Sequence, residues 1–475
     1  MPTLEGIVFI PTALYSFLFR PRLLFPLLII STVFEASSVI SSGSIGIQPY
    51  YCVAVLFVTR SFIDSRRARE LPHDYSSGWL WTAFTMVSAL SAFFLPIVFH
   101  GIPVYDGRLS IDENFLYGGV PLRLQSENLI QPAFLILNVL VVFAAARQGR
   151  YIEMAHRAFT FSAYLIIFIV LLQVSTFWMG LPFPTKLLNN NPGYGLVDLL
   201  AAGRLRPSGS FTEPSTLGAV LAALVAAFLW QYLTGRDSLL KAGLAAVASI
   251  FAASTSALAA TSIVVIVLFF AHPIIRLPWY IRISRLRRLS AIFGSVALSS
   301  LLLLIPNIRS LMLSQTLEKA GTASALARLG ADGYALALVG KTYGLGVGLG
   351  SNRPSSFLAA LVSQVGIIGL VLFACAAWST LQNIAKEYRW IRTASLGLLL
   401  SMAFGVPDLS FSFLWVLFAL AAQSKAASAL TERWTTRISK GVNQVGNDAC
   451  NIDPLVLRGL PYTFSTEFIR KTRFI

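Results

Sequence analysis

Apolar runs of roughly 15–22 residues recur along the whole chain, divided by short polar turns and a few long polar loops. Each run is long enough, or nearly so, to carry a helix through about 30 Å of hydrocarbon. The runs lie near 6–19, 22–41, 45–63, 78–99, 128–147, 158–180, 215–234, 239–253, 256–271, 288–307, 356–376, 393–407 and 409–423. Hydrocarbon offers the backbone no hydrogen-bond partner, so such a chain folds as a helix bundle or a closed barrel. A barrel would show weaker, alternating segments of about ten residues, and none occur. The expectation is an all-α polytopic membrane protein with about 12–13 transmembrane helices, the count turning on whether 6–19 crosses or lies in the interface. Composition agrees: 56% of the 475 residues are hydrophobic, 12% are charged, and the mean hydropathy is +0.70. The first run lacks the basic flank of a signal peptide, so no cleavage is expected.

Charge orders the connections. Those at 60–77, 147–157, 235–241, 272–290 and 377–393, with Arg20, Arg22 and the stretch after 423, hold 27 of the 37 Lys and Arg. The alternate connections, 100–127, 181–214 and 308–355, hold the other 10. By the positive-inside rule the first set is cytoplasmic and the long loops face outward. The net charge of +16 is then topological, with a basic tail near anionic lipid, and gives no argument for nucleic acid.

This divides the chain into N-terminal helices (1–180), an outer loop (181–214), central helices (215–307), a second large outer loop (308–355), C-terminal helices (356–423) and a basic, poorly ordered tail (424–475). Cys52 and Cys375 fall within apolar runs and Cys450 in the tail, so no outer disulfide is expected. The histidines are scattered, at 73, 100, 156 and 272, without metal-ligand spacing. No cofactor, metal or nucleotide is expected.

Two stretches carry candidate chemistry. Arg204-Leu-Arg206-Pro-Ser-Gly-Ser-Phe-Thr-Glu213-Pro closes one outer loop and opens an apolar run. Arg328, Lys341 and Arg353 lie in the second, which also runs straight into an apolar span. Arginine forks bind phosphate oxygens in pairs and never deprotonate, so cations at a bundle mouth suit an anionic, lipid-linked head group. Each has a plainer reading. Arg206 can snorkel to head groups, and Glu213 can cap the following helix or pair with Arg206. Arg328 can pair with Asp332 at i+4, while Lys341 and Arg353 can be solvated. The glycines at 344, 346, 348 and 350 lack nucleotide-loop spacing; their amides can cup a phosphate or the turn can simply deliver the next helix. Ser254-Thr255-Ser256 reads as a hairpin tip, and Asp408 as a turn residue. Glu35 is an acid in an apolar run with no evident partner.

Arg206-Pro-Ser-Gly-Ser-Phe-Thr-Glu213-Pro resembles the outer-loop motif of the O-antigen polymerase/O-antigen ligase superfamily. Arg328, then Tyr343-Gly-Leu-Gly-Val-Gly-Leu-Gly-Ser-Asn-Arg353, then Gly366-Ile-Ile-Gly369 resembles its second large loop and the helix that follows. The likeness covers roughly residues 200–376. It implies a glycosyltransferase of GT-C-like architecture in the bacterial inner membrane, joining polyprenyl-diphosphate-linked oligosaccharide repeat units by inverting transfer at the periplasmic face. It implies Glu213 and Arg328 as catalytic, Arg204, Arg206, Lys341 and Arg353 as diphosphate- or substrate-binding, and no metal. The partners it implies are a lipid-linked glycan donor and acceptor, membrane lipid, a flippase and a chain-length regulator. Two departures stand out. Ligases of the superfamily carry a His-Asn pair where this chain has Pro354-Ser355-Ser356, which argues for a polymerase. Many members carry an arginine after the Ser-x-Ser tip, where this chain has Ala257. The alternatives are a ligase moving a finished glycan, or a transporter of lipid-linked sugars or anions; against the latter, no internal repeat is visible.

Overall fold

A computed structural model of the chain describes residues 3–43, 45–68, 78–107, 109, 111–192, 200–201, 204–252, 254–271, 286–294, 304, 309, 323–382 and 384–444. The chain opens with α1 (Leu4–Phe19) and α2 (Leu24–Ser31, carried on by a 3-10 turn to Phe34). It turns through the hairpin β1–β2 (Ile40–Ser42, Ile45–Ile47) and returns in α3 (Pro49–Ala68). After α4 (Gly78–Val98), the hairpin β3–β4 (Pro103–Val104, Val120–Pro121) encloses α5 (Ile111–Tyr117), and α6 (Glu127–Ala146) runs back. α7 (Ile152–Trp178), the single turn α8 (Thr185–Leu188) and the hairpin β5–β6 (Leu200–Ala201, Arg204–Leu205) lead into α9 (Pro214–Leu233). There follow α10 (Leu239–Ala252), α11 (Thr255–Ile266), a helix over 286–294, α12 (Ala323–Lys341), α13 (Phe357–Leu381), α14 (Arg389–Gly405) and α15 (Ser412–Gln444). Among the described residues, six helical segments are long and apolar enough to cross a membrane: α4, α6, the Gly149–Trp178 stretch ending in α7, α9, α13 and the Ser412–Glu432 part of α15. The protein is a helical membrane protein.

α9 is the axis of the bundle, with nearly every side chain from Pro214 to Leu233 buried. α10, α11 and α14 pack around it. Lipid tails are as apolar as leucine, so helices in a membrane associate through close backbone approach, which small residues permit. Gly397 of α14 sits against Ala222 and Ala226; a Cβ there would lie 3.1 Å from the Ala226 methyl. Gly218 meets the tip between α10 and α11, where an added Cβ would come within 2.6 Å of Ser254 Cβ. Beside this core, Trp81, Phe84, Phe373, Trp415 and Phe418 form one aromatic cluster joining α4, α13 and α15. The Trp81 indole N–H, which must find a partner once buried, donates to Thr380 Oγ1 at 2.8 Å.

The structure departs from the sequence expectation in several places. The first run forms a helix tied at both faces, through Thr3 N to Val39 O (3.2 Å) and through Arg60 Nη1 to Phe17 O (3.1 Å). The second run, 22–41, stays helical only to Phe34. Beyond it, Ser37 Oγ donates to Leu188 O (2.6 Å) and Ser38 N to Asn190 Oδ1 (2.8 Å), so a neighbouring loop replaces helical partners. The stretch 308–355 is not simply a loop, because α12 occupies Ala323–Lys341. α13 is broken at Gly366 (φ 72°, ψ −175°). α15 carries helix on to Gln444, twenty residues past the expected start of a disordered tail at 424. The rest of the tail, and most of the 288–307 run, lie outside the described residues.

Candidate functional site

The N-terminus of α9 is held by residues distant in sequence. Gly209 N donates to Gln173 Oε1 of α7 (2.8 Å), and Ala36 N donates to Ser210 O (3.0 Å). Ser210 Oγ donates to Val33 O, and Thr212 gives both N–H (2.9 Å) and hydroxyl (3.2 Å) to the Glu35 carboxylate. Gly209 is thus tied to α7, and residues 210–212 to the end of α2 and the turn after it. Glu213 then takes the N-cap position of α9 with extended backbone (φ −141°, ψ 153°), and Pro214 fills the first helical position, where its missing N–H costs nothing. The Glu213 side chain makes no capping bond; it is exposed and accepts from Ser215 Oγ at 2.8 Å.

Arg206 enters this platform half-buried, and its Nε is buried without a hydrogen-bond partner among the described residues. Burial lowers the guanidinium pKa below the usual arginine range; the neighbouring Arg328 lowers it further and Glu213 opposes both. Arg206, Arg328 and Glu213 are therefore electrostatic neighbours, although Arg328 comes from α12 far along the chain. Two like charges held together with an unsatisfied donor form a place where an anion is stabilised.

Asp332 is used differently from the i+4 reading. Its Oδ1 accepts from Ser355 N (2.8 Å) and Ser356 N (3.1 Å), tying α12 to the first turn of α13. Among the described residues no ion pair joins it to Arg328. Lys341 and Arg353 point elsewhere. Lys341 Nζ stands 5.3 Å from the ring centroid of Tyr334. Arg353 is exposed, with its Cδ packed against Gly107 and its N–H on Tyr105 O (3.0 Å). Arg204 lies in β6, by its backbone paired with Ala201.

The glycine series does not cup an anion. Every backbone amide from Gly344 to Ser351 is already committed, to Val339 O, Thr342 O, Thr342 Oγ1, Ser363 O, Gln364 O, Ser91 Oγ, Gln364 Oε1 and Gly348 O in turn. Ser363 O and Gln364 O are the carbonyls freed by the break at Gly366; they take Val347 N (2.8 Å) and Gly348 N (2.9 Å), while Ile367 N turns to Gly344 O (2.9 Å). The glycines build the strap that repairs a broken helix. The Ser254–Ser256 tip packs between Gly218 of α9 and Gly405 of α14.

Two acids missing from the expected set stand beside the site. Glu35 is buried, and Asp408 and Glu213 both add to its electrostatic environment. Asp408 Oδ1 accepts from Ser410 N (2.8 Å) and Ser410 Oγ (2.6 Å), while Ser410 O receives the Tyr51 hydroxyl (3.0 Å). An acid within an apolar run was the available signal for Glu35, since such groups are rarely idle. Among the described residues no group of three or more His, Cys, Asp and Glu is placed to hold a metal ion. No protein-family model and no curated protein matches the chain.

Proposed function

We propose that this protein is a polymerase of the O-antigen polymerase/ligase type, with about 12–13 spans in a GT-C-like arrangement. It joins polyprenyl-diphosphate-linked oligosaccharide repeat units at the periplasmic face of the bacterial inner membrane. The observation that carries the reading is the Arg206–Arg328 neighbourhood, with a buried unpartnered Nε on Arg206 and the exposed carboxylate of Glu213 alongside. In the reaction, a hydroxyl oxygen of the acceptor glycan attacks the anomeric carbon of the donor. The C–O bond to the diphosphate breaks, and the polyprenyl diphosphate leaves with the electron pair. The hydroxyl proton passes to a carboxylate, for which Glu213 is the exposed group at the site. A diphosphate is already a good leaving group, so positioning and offsetting its growing charge are the main tasks, and fixed guanidinium groups suit both.

The lack of a histidine after the glycine-rich strap favours polymer formation over transfer to a different acceptor. The test is to incubate purified, reconstituted protein with one defined lipid-linked repeat unit. A ladder of products supports the reading; monomer alone after long incubation, with the protein verified as folded, overturns it.

A further inference from the structure

We infer that residues 329–350 form a re-entrant element sunk into the loop-side leaflet of the bilayer, its outer stripe covered by lipid acyl chains. This inference rests on the fold and stands apart from the proposed reaction.

Depth is read from the partners of each part. Asp332 lies level with Ser355 and Ser356, at the first turn of α13. From there α12 descends beside α13, and its far end delivers Gly344 against Ile367, with an added Cβ only 3.3 Å from Ile367 Cδ1. Ile367 lies ten residues into α13, roughly 15 Å along its axis. The chain then climbs back. Gly348 touches Ser91 O and Pro96 of α4, Gly350 touches Glu127 O at the start of α6, and Arg353 N reaches Tyr105 O. Irregular backbone at membrane depth survives only where its polar groups are satisfied by protein. Residues 344–351 meet that condition amide by amide, assisted by Asn128 Nδ2, which donates to Leu349 O at 2.9 Å.

The side chains sort the same way. One face of α12 is buried, with Leu338 packed among Val104, Leu122 and Val347. The opposite stripe, Leu329, Leu336 and Tyr343, is exposed at seven-residue spacing, Tyr343 at 89%. It continues into the exposed apolar flank of α13 formed by Ile367, Ile368 and Val371. That flank belongs to a membrane-crossing helix, so lipid that covers it also covers the stripe. Below Asp332, Lys341 is the one charged residue on the descending half, and it turns back toward Tyr334, whose hydroxyl donates to Pro103 O at 2.7 Å. A lysine that returns its ammonium toward the polar layer is the behaviour expected at membrane depth.

The test uses the full chain in phosphatidylcholine/phosphatidylglycerol vesicles, with Cys52, Cys375 and Cys450 replaced by serine. Spin labels are placed singly through Leu329→Cys, Leu336→Cys and Tyr343→Cys, with Lys186→Cys as the water-exposed control. Expected are at least fivefold higher oxygen-to-nickel-chelate accessibility ratios at all three positions than at the control, with the label at 343 the deepest. Should one variant fail to fold, the other two carry the same reading. Nickel accessibility at 336 and 343 equal to the control overturns the inference. Low accessibility to both reagents with an immobilised label also overturns it, because a protein surface would then cover the stripe.

Discussion

Thr212 donates its backbone N–H and its hydroxyl to the carboxylate of Glu35, 177 positions earlier in the chain. That contact fixes the residue immediately before Glu213, and so sets where the α9 N-terminus stands. Glu35 lies past the end of α2, in the loop layer. Its burial pushes the carboxyl pKa up from about 4.5 to about 7; the Thr212 bonds oppose the rise, while Asp408 and Glu213 add to it.

The raised pKa means that the folded protein holds this proton more tightly than the unfolded chain. The associated stability is complete below pH 4.5 and is lost as pH rises through about 7. Its size is on the order of 3 kcal/mol. Thermal unfolding in detergent should therefore show a larger fall in Tm from pH 5 to pH 8 for wild type than for Glu35→Gln. Equal falls would show that Glu35 does not titrate in this range.

The break in α13 gives a second prediction. At Gly366, with φ 72°, an added Cβ would lie 2.4 Å from Gly344 O and 2.5 Å from Leu345 O. Gly366→Ala should cost several kcal/mol through backbone strain and displacement of the strap. Gly243→Ala, in α10 with nothing within 4 Å of its Cβ, should be neutral or slightly stabilising. Size-exclusion yield and Tm of the two variants compare them directly.

The helical, membrane-type character of the bundle was legible in the sequence because apolar length follows from the bilayer itself. The N-terminal motif of α9 was legible too, since Pro214 after Glu213 marks a helix start. The strap was not. Hydropathy reads 356–376 as one span, and nothing local indicates that Gly366 breaks it. The signal lay in the polar residues of apolar helices: the Ser91, Asn128 and Gln364 side chains bond the strap itself, and Ser363 Oγ accepts from Asn352 just beyond it. The role of Glu35 was hidden because its partner comes from another loop, and that pairing is tertiary.

Replacing Arg328 separates charge from shape. Arg328→Lys keeps the charge and loses the planar fork, and polymerisation should fall at least about tenfold. Arg328→Ala should abolish it with the protein still inserted at normal level. Laddered product from the alanine variant at near wild-type rate would remove Arg328 from the site.

The proposed chemistry meets the diphosphate charge with arginine. Polymerisation in EDTA should run at nearly the rate seen without it. A reaction that stops with chelator and restarts with magnesium would show that a substrate-bound metal shares the work assigned to Arg206 and Arg328.

The most direct test of the central claim is binding without turnover. Affinity for polyprenyl diphosphate and for the uncharged polyprenol can be measured on purified wild type, Arg206→Ala and Arg328→Ala. The account predicts that wild type prefers the diphosphate by at least about a hundredfold, and that each variant loses at least about tenfold of that preference, in the range of a charge-assisted phosphate contact. Equal affinity of wild type for both lipids, or unchanged diphosphate binding in both variants, would contradict it.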